Sequence, residues 1–188
     1  MSGLIVSGVI LLAGVALTAY VIIIYNTLVS MRSNTDKAWS NIDVLLKQRY
    51  DELPKLLEVC KGYMQHERET LEAVTKARSM VAAADSQNAQ LEAQNFLTDT
   101  LKSLFAVTEN YPDLKADEAF RRLGTRISEL EEQIADRREL FNEYVNIYNI
   151  RIAQFPDVLV ATKFNFSPST LWKINPEHRR DVSIAFDS

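Results

Sequence analysis

The chain withholds every charged side chain until Arg32, and within that start the 21 residues from Leu4 to Ile24 include 13 Leu, Ile or Val. A bilayer core takes about 20 apolar residues in helical form. Each central Leu, Ile or Val contributes about −0.3 to −0.6 kcal/mol to insertion, so the run outweighs its Ser7, Gly8, Gly14 and Thr18. A cleaved secretory leader would begin with a basic region and carry a shorter apolar core. Here no Lys or Arg precedes the run, and no cysteine stands near its end to receive a lipid. A buried helix of a soluble protein would show a polar face, and this run has none. The expectation is an uncleaved membrane anchor over residues 1–29, with Tyr20 and Tyr25 at the interface.

Lys and Arg on short flanks set orientation. None precedes the span, and Arg32, Lys37, Lys47 and Arg49 follow it. The expected topology is single-pass in the cell (inner) membrane, with a short N-terminus outside and the bulk of the chain cytoplasmic. Cys60 is the sole cysteine, which excludes an internal disulfide and is compatible with a reducing compartment.

The remaining residues, about 160, suffice for one domain with a core. Glycine and proline are scarce, at five each, and between Thr35 and Gln154 the only glycines are Gly62 and Gly124. Apolar positions recur at helical spacing. One stripe runs Leu28, Met31, Thr35, Ala38, Ile42, Leu45; a second runs Leu57, Cys60, Met64, Leu71, Val74, Val81. A third holds Leu97, Leu101, Leu104 and Phe105. The fourth runs Phe120, Leu123, Ile127, Leu130, Ile134, Phe141, Tyr144, Tyr148, Ile152. No segment before the tail alternates with a period of two, so strands are not expected there.

Breaks fall between the stripes. Asp51 can cap a helix that tolerates Pro54 in its first turn. "AADSQNAQ" reads as a tight turn, and Pro112-Asp113 as a stop with a fresh cap. Short connections make neighbouring helices antiparallel. The expected fold is all-α. A membrane helix leads into an up-and-down four-helix bundle over 30–154, with helices at 33–50, 52–84, 87–109 and 114–153. A Pro-punctuated apolar tail over 155–188 follows.

The stretches "YNTLVSMRSNTDKAWSNIDVLLKQRYDELPKLLEVCKGYMQHE" (25–67), "ENYPDLKADEAF" (109–120) and "YNIRIAQFP" (148–156) together resemble the LemA family of membrane-anchored helical proteins. The resemblance covers nearly the whole chain. It implies an N-terminal membrane helix and an up-and-down four-helix bundle, and it implies no reaction. Phe141-Asn142 stands where Tyr-Asn would be usual.

Motifs for chemistry are thin. His66-Glu67-Arg68-Glu69-Thr70 begins like a zinc-protease helix but has Thr70 where the second histidine is needed. With His66, His178 and Cys60 as the only His and Cys, neither a zinc site nor a carboxylate di-iron site assembles by pattern. No catalytic residue, metal ligand or cofactor is expected. A net charge of −4 argues against a nucleic-acid partner.

Charges do stand at positions where the stripes ask for apolar groups. Glu67 falls between Met64 and Leu71, Arg137 between Ile134 and Phe141, and Arg49 after Leu45. A lone buried charge is costly, so each is expected to find a partner or reach water. Folding the hairpins at Asp85 and Tyr111 sets Glu67 level with Arg121, making Arg121 or Arg122 its expected partner. Structural pairing is the plain reading of Arg49, Glu67, Arg121 and Arg137; a ligand or signalling role is the other.

The fourth helix, about 40 residues or 60 Å, is longer than the third, about 23 residues or 35 Å. Its end therefore overhangs, with Phe141, Tyr144, Tyr148 and Ile152 in need of cover. A hinge at "VSMRSNTD", where Ser33 and Asp36 resemble a capping box, combined with oligomerisation would provide it. The chain's own tail is the simpler cover. That tail carries Phe155 and Trp172 and ends in "DVSIAFDS", which alternates like an added strand or strap. Phe141, Tyr144, Tyr148, Phe155 and Trp172 thus form the candidate interaction surface. Gly3/Ser7 and Gly14/Thr18 have small-xxx-small spacing within the span.

Three functions are compatible with this reading. The first is a membrane-anchored, self-associating scaffold whose partners are the lipid bilayer and further copies of itself. The second is a sensor or adaptor for a membrane protease or transport partner. The third is an enzyme built on unrecognised residues.

Overall fold

A computed structural model describes residues 1–173. All regular structure among them is helical: α1 (Ser2–Tyr63), α2 (Arg68–Ala83), α3 (Gln87–Thr108), α4 (Pro112–Ala116), α5 (Glu118–Ala153) and α6 (Asp157–Lys163). The strand or strap expected around Val182, Ile184 and Phe186 lies outside the described residues, as does His178.

The helix boundaries correct the sequence expectation in three places. No break occurs near Asp51, because α1 runs on through Pro54 to Tyr63. A mid-helix proline costs about 3 kcal/mol. Leu53, Leu56, Leu57 and Cys60 around it are all buried, and a buried Leu alone contributes about 1.5–3 kcal/mol, so packing wins. The expected hinge at Ser33–Asp36 is likewise absent. Thr35 Oγ1 donates to the Met31 carbonyl at 3.2 Å within the unbroken helix, and Leu28, Thr35, Ala38 and Ile42 are buried along one face. Finally, Pro112-Asp113 opens only the single turn of α4. The long helix is capped instead by Asp117, whose Oδ1 accepts from the Phe120 N–H at 3.0 Å.

The chain divides into two compact units. Unit 1 comprises Met1–Asn41 and Arg137–Leu171. Its α1 segment contains an 18-residue window of mean hydropathy 2.4 of which 6% is buried inside the protein. A helix that serves a protein core is mostly buried, so this one is apolar for an environment outside the chain. Burial begins at Ile24 and Leu28, which cluster with Tyr148 and Ile152 of α5 and Val160 and Ala161 of α6. Trp39 lies against Phe141 with ring centroids 5.5 Å apart.

The segment after α6 is tied down by α5. Tyr148 Oη donates to the Ser167 carbonyl at 3.1 Å. The Asn149 amide makes a reciprocal pair with the Ser169 backbone, 2.9 Å in each direction. These bonds satisfy backbone groups of a stretch that has no helix partner of its own.

Unit 2 comprises Ile42–Asp136 and, among the described residues after it, Trp172 and Lys173. Its core draws Leu53, Leu56 and Cys60 from α1, Leu71 and Val74 from α2, Leu97, Leu101 and Leu104 from α3, Leu114 from α4, and Phe120 and Ile127 from α5. The α2–α3 turn falls where "AADSQNAQ" predicts it, with Ser86 Oγ accepting from the Ala89 N–H at 3.3 Å as the cap of α3.

Candidate functional site

The most unusual group in unit 2 is Arg49, whose side chain is fully buried. An isolated buried cation would cost several kcal/mol, so its surroundings must answer it. Nη1 donates to Thr98 Oγ1 at 2.8 Å and to Glu131 Oε1. Nη2 donates to Gln94 Oε1. Thr98 Oγ1 in turn donates to Glu131 Oε2 at 3.1 Å. One guanidinium thereby joins α1, α3 and α5. Glu131 is 25% exposed at its side chain, so the anionic end reaches the surface while the cationic end does not.

Chemically this arrangement binds helices rather than substrate. A guanidinium remains charged and cannot act as a base, and both carboxylate oxygens of Glu131 already accept hydrogen bonds. Gln94, Thr98 and Glu131 escaped the sequence reading, although a signal exists. Gln94 and Thr98 follow Leu91 at helical spacing, and Glu131 stands four residues after Ile127. Each is a polar residue on the inward edge of an apolar stripe.

The other expected buried charges differ. Arg121 and Arg137 are exposed, which corrects the expectation. Between Ile134 and Phe141 the inward path steps four then three residues, through half-buried Arg138, so Arg137 turns out to solvent. Arg121 directly follows buried Phe120, about 100° around the helix from it, and so leaves the inward face. Glu67 is half-buried, and its partner is neither Arg121 nor Arg122: Tyr111 Oη donates to Glu67 Oε1 at 2.9 Å. Because α1 ends at Tyr63 and α2 starts at Arg68, Glu67 sits in a turn and the stripe does not run through it. The hydrogen bond to Glu67 holds the Tyr111 phenol above its usual range.

A parallel pair closes the far side of the same region, where Tyr63 Oη donates to Asp117 Oδ2 at 3.0 Å. The Phe120 N–H and then the Tyr63 hydroxyl hold the Asp117 carboxyl below its usual range. A depressed folded pKa contributes stability that is present above the unfolded value and is lost as pH falls through the folded one. Asp117→Asn keeps an acceptor for the cap but removes the titration. Its melting temperature is therefore expected to fall less steeply than the parent's between neutral pH and about pH 3; superimposable acid limbs would count against the pair. Cys60 is buried in the core, and burial pushes its thiol up to about 11. That describes an inert packing residue.

Two surfaces remain. A groove of about 760 Å³ runs beside the α1–α2 turn, with Lys61, Arg68 and Lys76 around a floor that includes Met64 and Leu71. The candidate interaction residues, by contrast, are mostly consumed by the fold. Phe141, Tyr148 and Trp172 are buried and Tyr144 is half-buried; only Phe155 is exposed. The overhang of α5 is covered within unit 1 by α1 and by the chain's own segment from α6 to Phe166. This displaces the expectation that a hinge and a neighbouring protomer cover it. Among the described residues no three His, Cys, Asp or Glu side chains gather to hold a metal.

The LemA family model matches residues 38–186. Protein LemA of Metamycoplasma hominis is 27% identical over 161 residues, covering 85% of this chain and 74% of that protein. Magnetosome proteins MamQ 2 and MamQ 1 of Paramagnetospirillum magneticum are each 24% identical over 171 residues, covering 77% of this chain. The match spans 63% of each magnetosome protein, less than two thirds of their length.

Proposed function

This chain belongs to the LemA family, and on that premise we propose that it is a membrane-anchored helical scaffold that self-associates and presents an antiparallel four-helix bundle at the cytoplasmic face. The observation that carries the reading is the change of character along α1. Its leading residues are apolar and exposed, at a length that matches a bilayer core, and from Ile24 onward the same helix supplies buried core positions. Arg32, Lys37, Lys47 and Arg49, which follow the span, support the cytoplasmic orientation.

None of the matched names is an enzyme's. The MamQ proteins are named for a structure, the magnetosome, rather than for a reaction. Together with an arginine network engaged in joining helices, this favours a role in assembly over one in catalysis.

The adaptor reading draws its support from the groove where Lys61, Arg68 and Lys76 outnumber the one acid, Glu72, over a floor that includes Met64 and Leu71; a net-basic groove of this kind suits an acidic amphipathic segment of a membrane partner. The mass of the complex extracted in mild detergent separates the two. A multiple of the protomer mass is expected. A lone protomer, or one stoichiometric foreign subunit, would reject self-association, and the latter would establish the adaptor.

A further inference from the structure

Unit 1 leaves an apolar face open at one level of α1, and it is the level at which the lipid-length run ends. Phe155 is 81% exposed, Leu159 63% and Phe164 50%. These three side chains occupy the α5–α6 turn, α6 itself and the residue after it. We propose that this α6 hairpin lies in the headgroup–acyl boundary of the bilayer that α1 crosses, with Phe155, Leu159 and Phe164 in contact with lipid. The inference rests on the membrane-anchored reading of α1 and adds a second, monotopic contact to it.

Depth is the first argument. The 21 residues from Leu4 to Ile24 rise about 32 Å as a helix, close to the ~30 Å of a hydrocarbon core. Val160 and Ala161 share one buried cluster with Ile24, at the end of that run, and Val21 and Phe166 pack against the same cluster. The Tyr25 ring meets Phe164 edge-on at 4.9 Å and Phe166 at 5.7 Å. α6 is thus fastened to α1 where the apolar core gives way to headgroups, a zone in which aromatic side chains are favoured.

Continuity is the second. Ile22, Ile23, Tyr25 and Val29 are exposed on α1, so on the anchored reading the open apolar side chains of α6 add to those that α1 offers to lipid at this level. Charge placement is the third. The one acid of α6, Asp157, is turned inward and paired with Arg151 at 3.0 Å. Its one cation, Lys163, stays exposed. A surface facing anionic headgroups withdraws carboxylates and leaves cations free, whereas a surface docking a soluble basic partner would do the opposite.

The test uses the full chain in lipid nanodiscs containing a doxyl-labelled phosphatidylcholine. In a Cys60→Ser background, single cysteines replace Phe155, Leu159 and Phe164, with Leu12 as the reference inside the span and exposed Asn41, 17 residues or about 26 Å along α1 beyond Ile24, as the reference outside it. Each carries a small environment-sensitive fluorophore. The expected result is that labels at 155, 159 and 164 lose roughly half their emission or more, as does the label at Leu12, because interfacial segments bury ~5–10 Å into the boundary, while the label at Asn41 is unaffected. Quenching at Leu12 without quenching at the three α6 positions would overturn the proposal and leave the anchor standing. Labels there that are shielded from aqueous iodide yet untouched by the lipid quencher would identify a protein occupant and also overturn it. An unquenched label at Leu12 would sink the anchored reading and this proposal together. All three positions are exposed, so unchanged circular dichroism is expected for each variant.

Discussion

Glu131→Leu is expected to destabilise the protein by about 3–5 kcal/mol, the cost of leaving a buried charge without its partner. The charge in question is Arg49, fully buried beneath the surface that Glu131 reaches. Once Glu131 is gone, the guanidinium keeps only the neutral oxygens of Thr98 and Gln94. Arg49→Met should cost less, because the stranded Glu131 is a quarter exposed and can turn to water. The double variant Arg49→Met/Glu131→Leu should recover much of the loss, since an apolar pair of similar volume is often neutral relative to a buried ion pair. Urea unfolding of the detergent-solubilised chain, followed by circular dichroism, measures all three. The ordering Glu131→Leu worst, Arg49→Met intermediate and the double variant mildest is the signature. Additive losses in the double variant would mean that the network is not a unit.

Trp172→Ala is expected to cost about 3–5 kcal/mol, the range for emptying a large aromatic site. Trp172 is buried to 2% exposure, and its Nε1–H donates to Asn95 Oδ1 at 2.8 Å. Asn95 Nδ2 donates in turn to the Lys173 carbonyl at 2.9 Å. One α3 side chain thus grips both the indole and the backbone just after it. Trp172→Phe retains most of the apolar bulk and loses the donor, so about 1 kcal/mol of its effect belongs to the hydrogen bond. Thermal unfolding of the two variants separates packing from the hydrogen bond. Equal losses would assign the indole's contribution to its N–H alone, and no loss for Trp172→Ala would contradict its burial.

Much of the organisation is legible in the residues. The uncharged run, the scarcity of glycine and proline and the 3–4 spacing each report a local property, and local properties survive folding. Register was harder to read. Between Ile134 and Phe141 a helix of 3.6 residues per turn admits a step of three then four or of four then three, and the choice decides whether Arg137 or Arg138 turns inward. Glu67 illustrates a second limit. Its role changes because α1 stops at Tyr63, where only Gly62 breaks an otherwise helix-favouring sequence. Pro54 is the converse, a strong stop signal overruled by the burial of Leu53, Leu56 and Leu57.

The candidate surface shows the same division. Phe141, Tyr148 and Trp172 are large, apolar and placed in the end of the fourth helix and the tail beyond it, which identifies them as needing cover without saying whose. Cover is a pairing between distant parts of a chain, and no local pattern encodes it. The two Asn149–Ser169 bonds and the Tyr148–Ser167 bond that hold the tail link residues about 20 positions apart.

The sequence alone determined that the chain is helical, that it carries a stretch fit for lipid, that it resembles the LemA family and that Arg49 stands where an apolar side chain would ordinarily pack. These follow from side-chain chemistry read at the helical period. Only the tertiary structure decided that Arg49 is answered by Glu131, Thr98 and Gln94, that Glu67 bonds to Tyr111, and that the end of α5 is sealed by α6 and its following segment. Those outcomes depend on which distant faces meet, and helices of similar amphipathicity leave that choice to the shape and hydrogen-bonding demand of the packed interior.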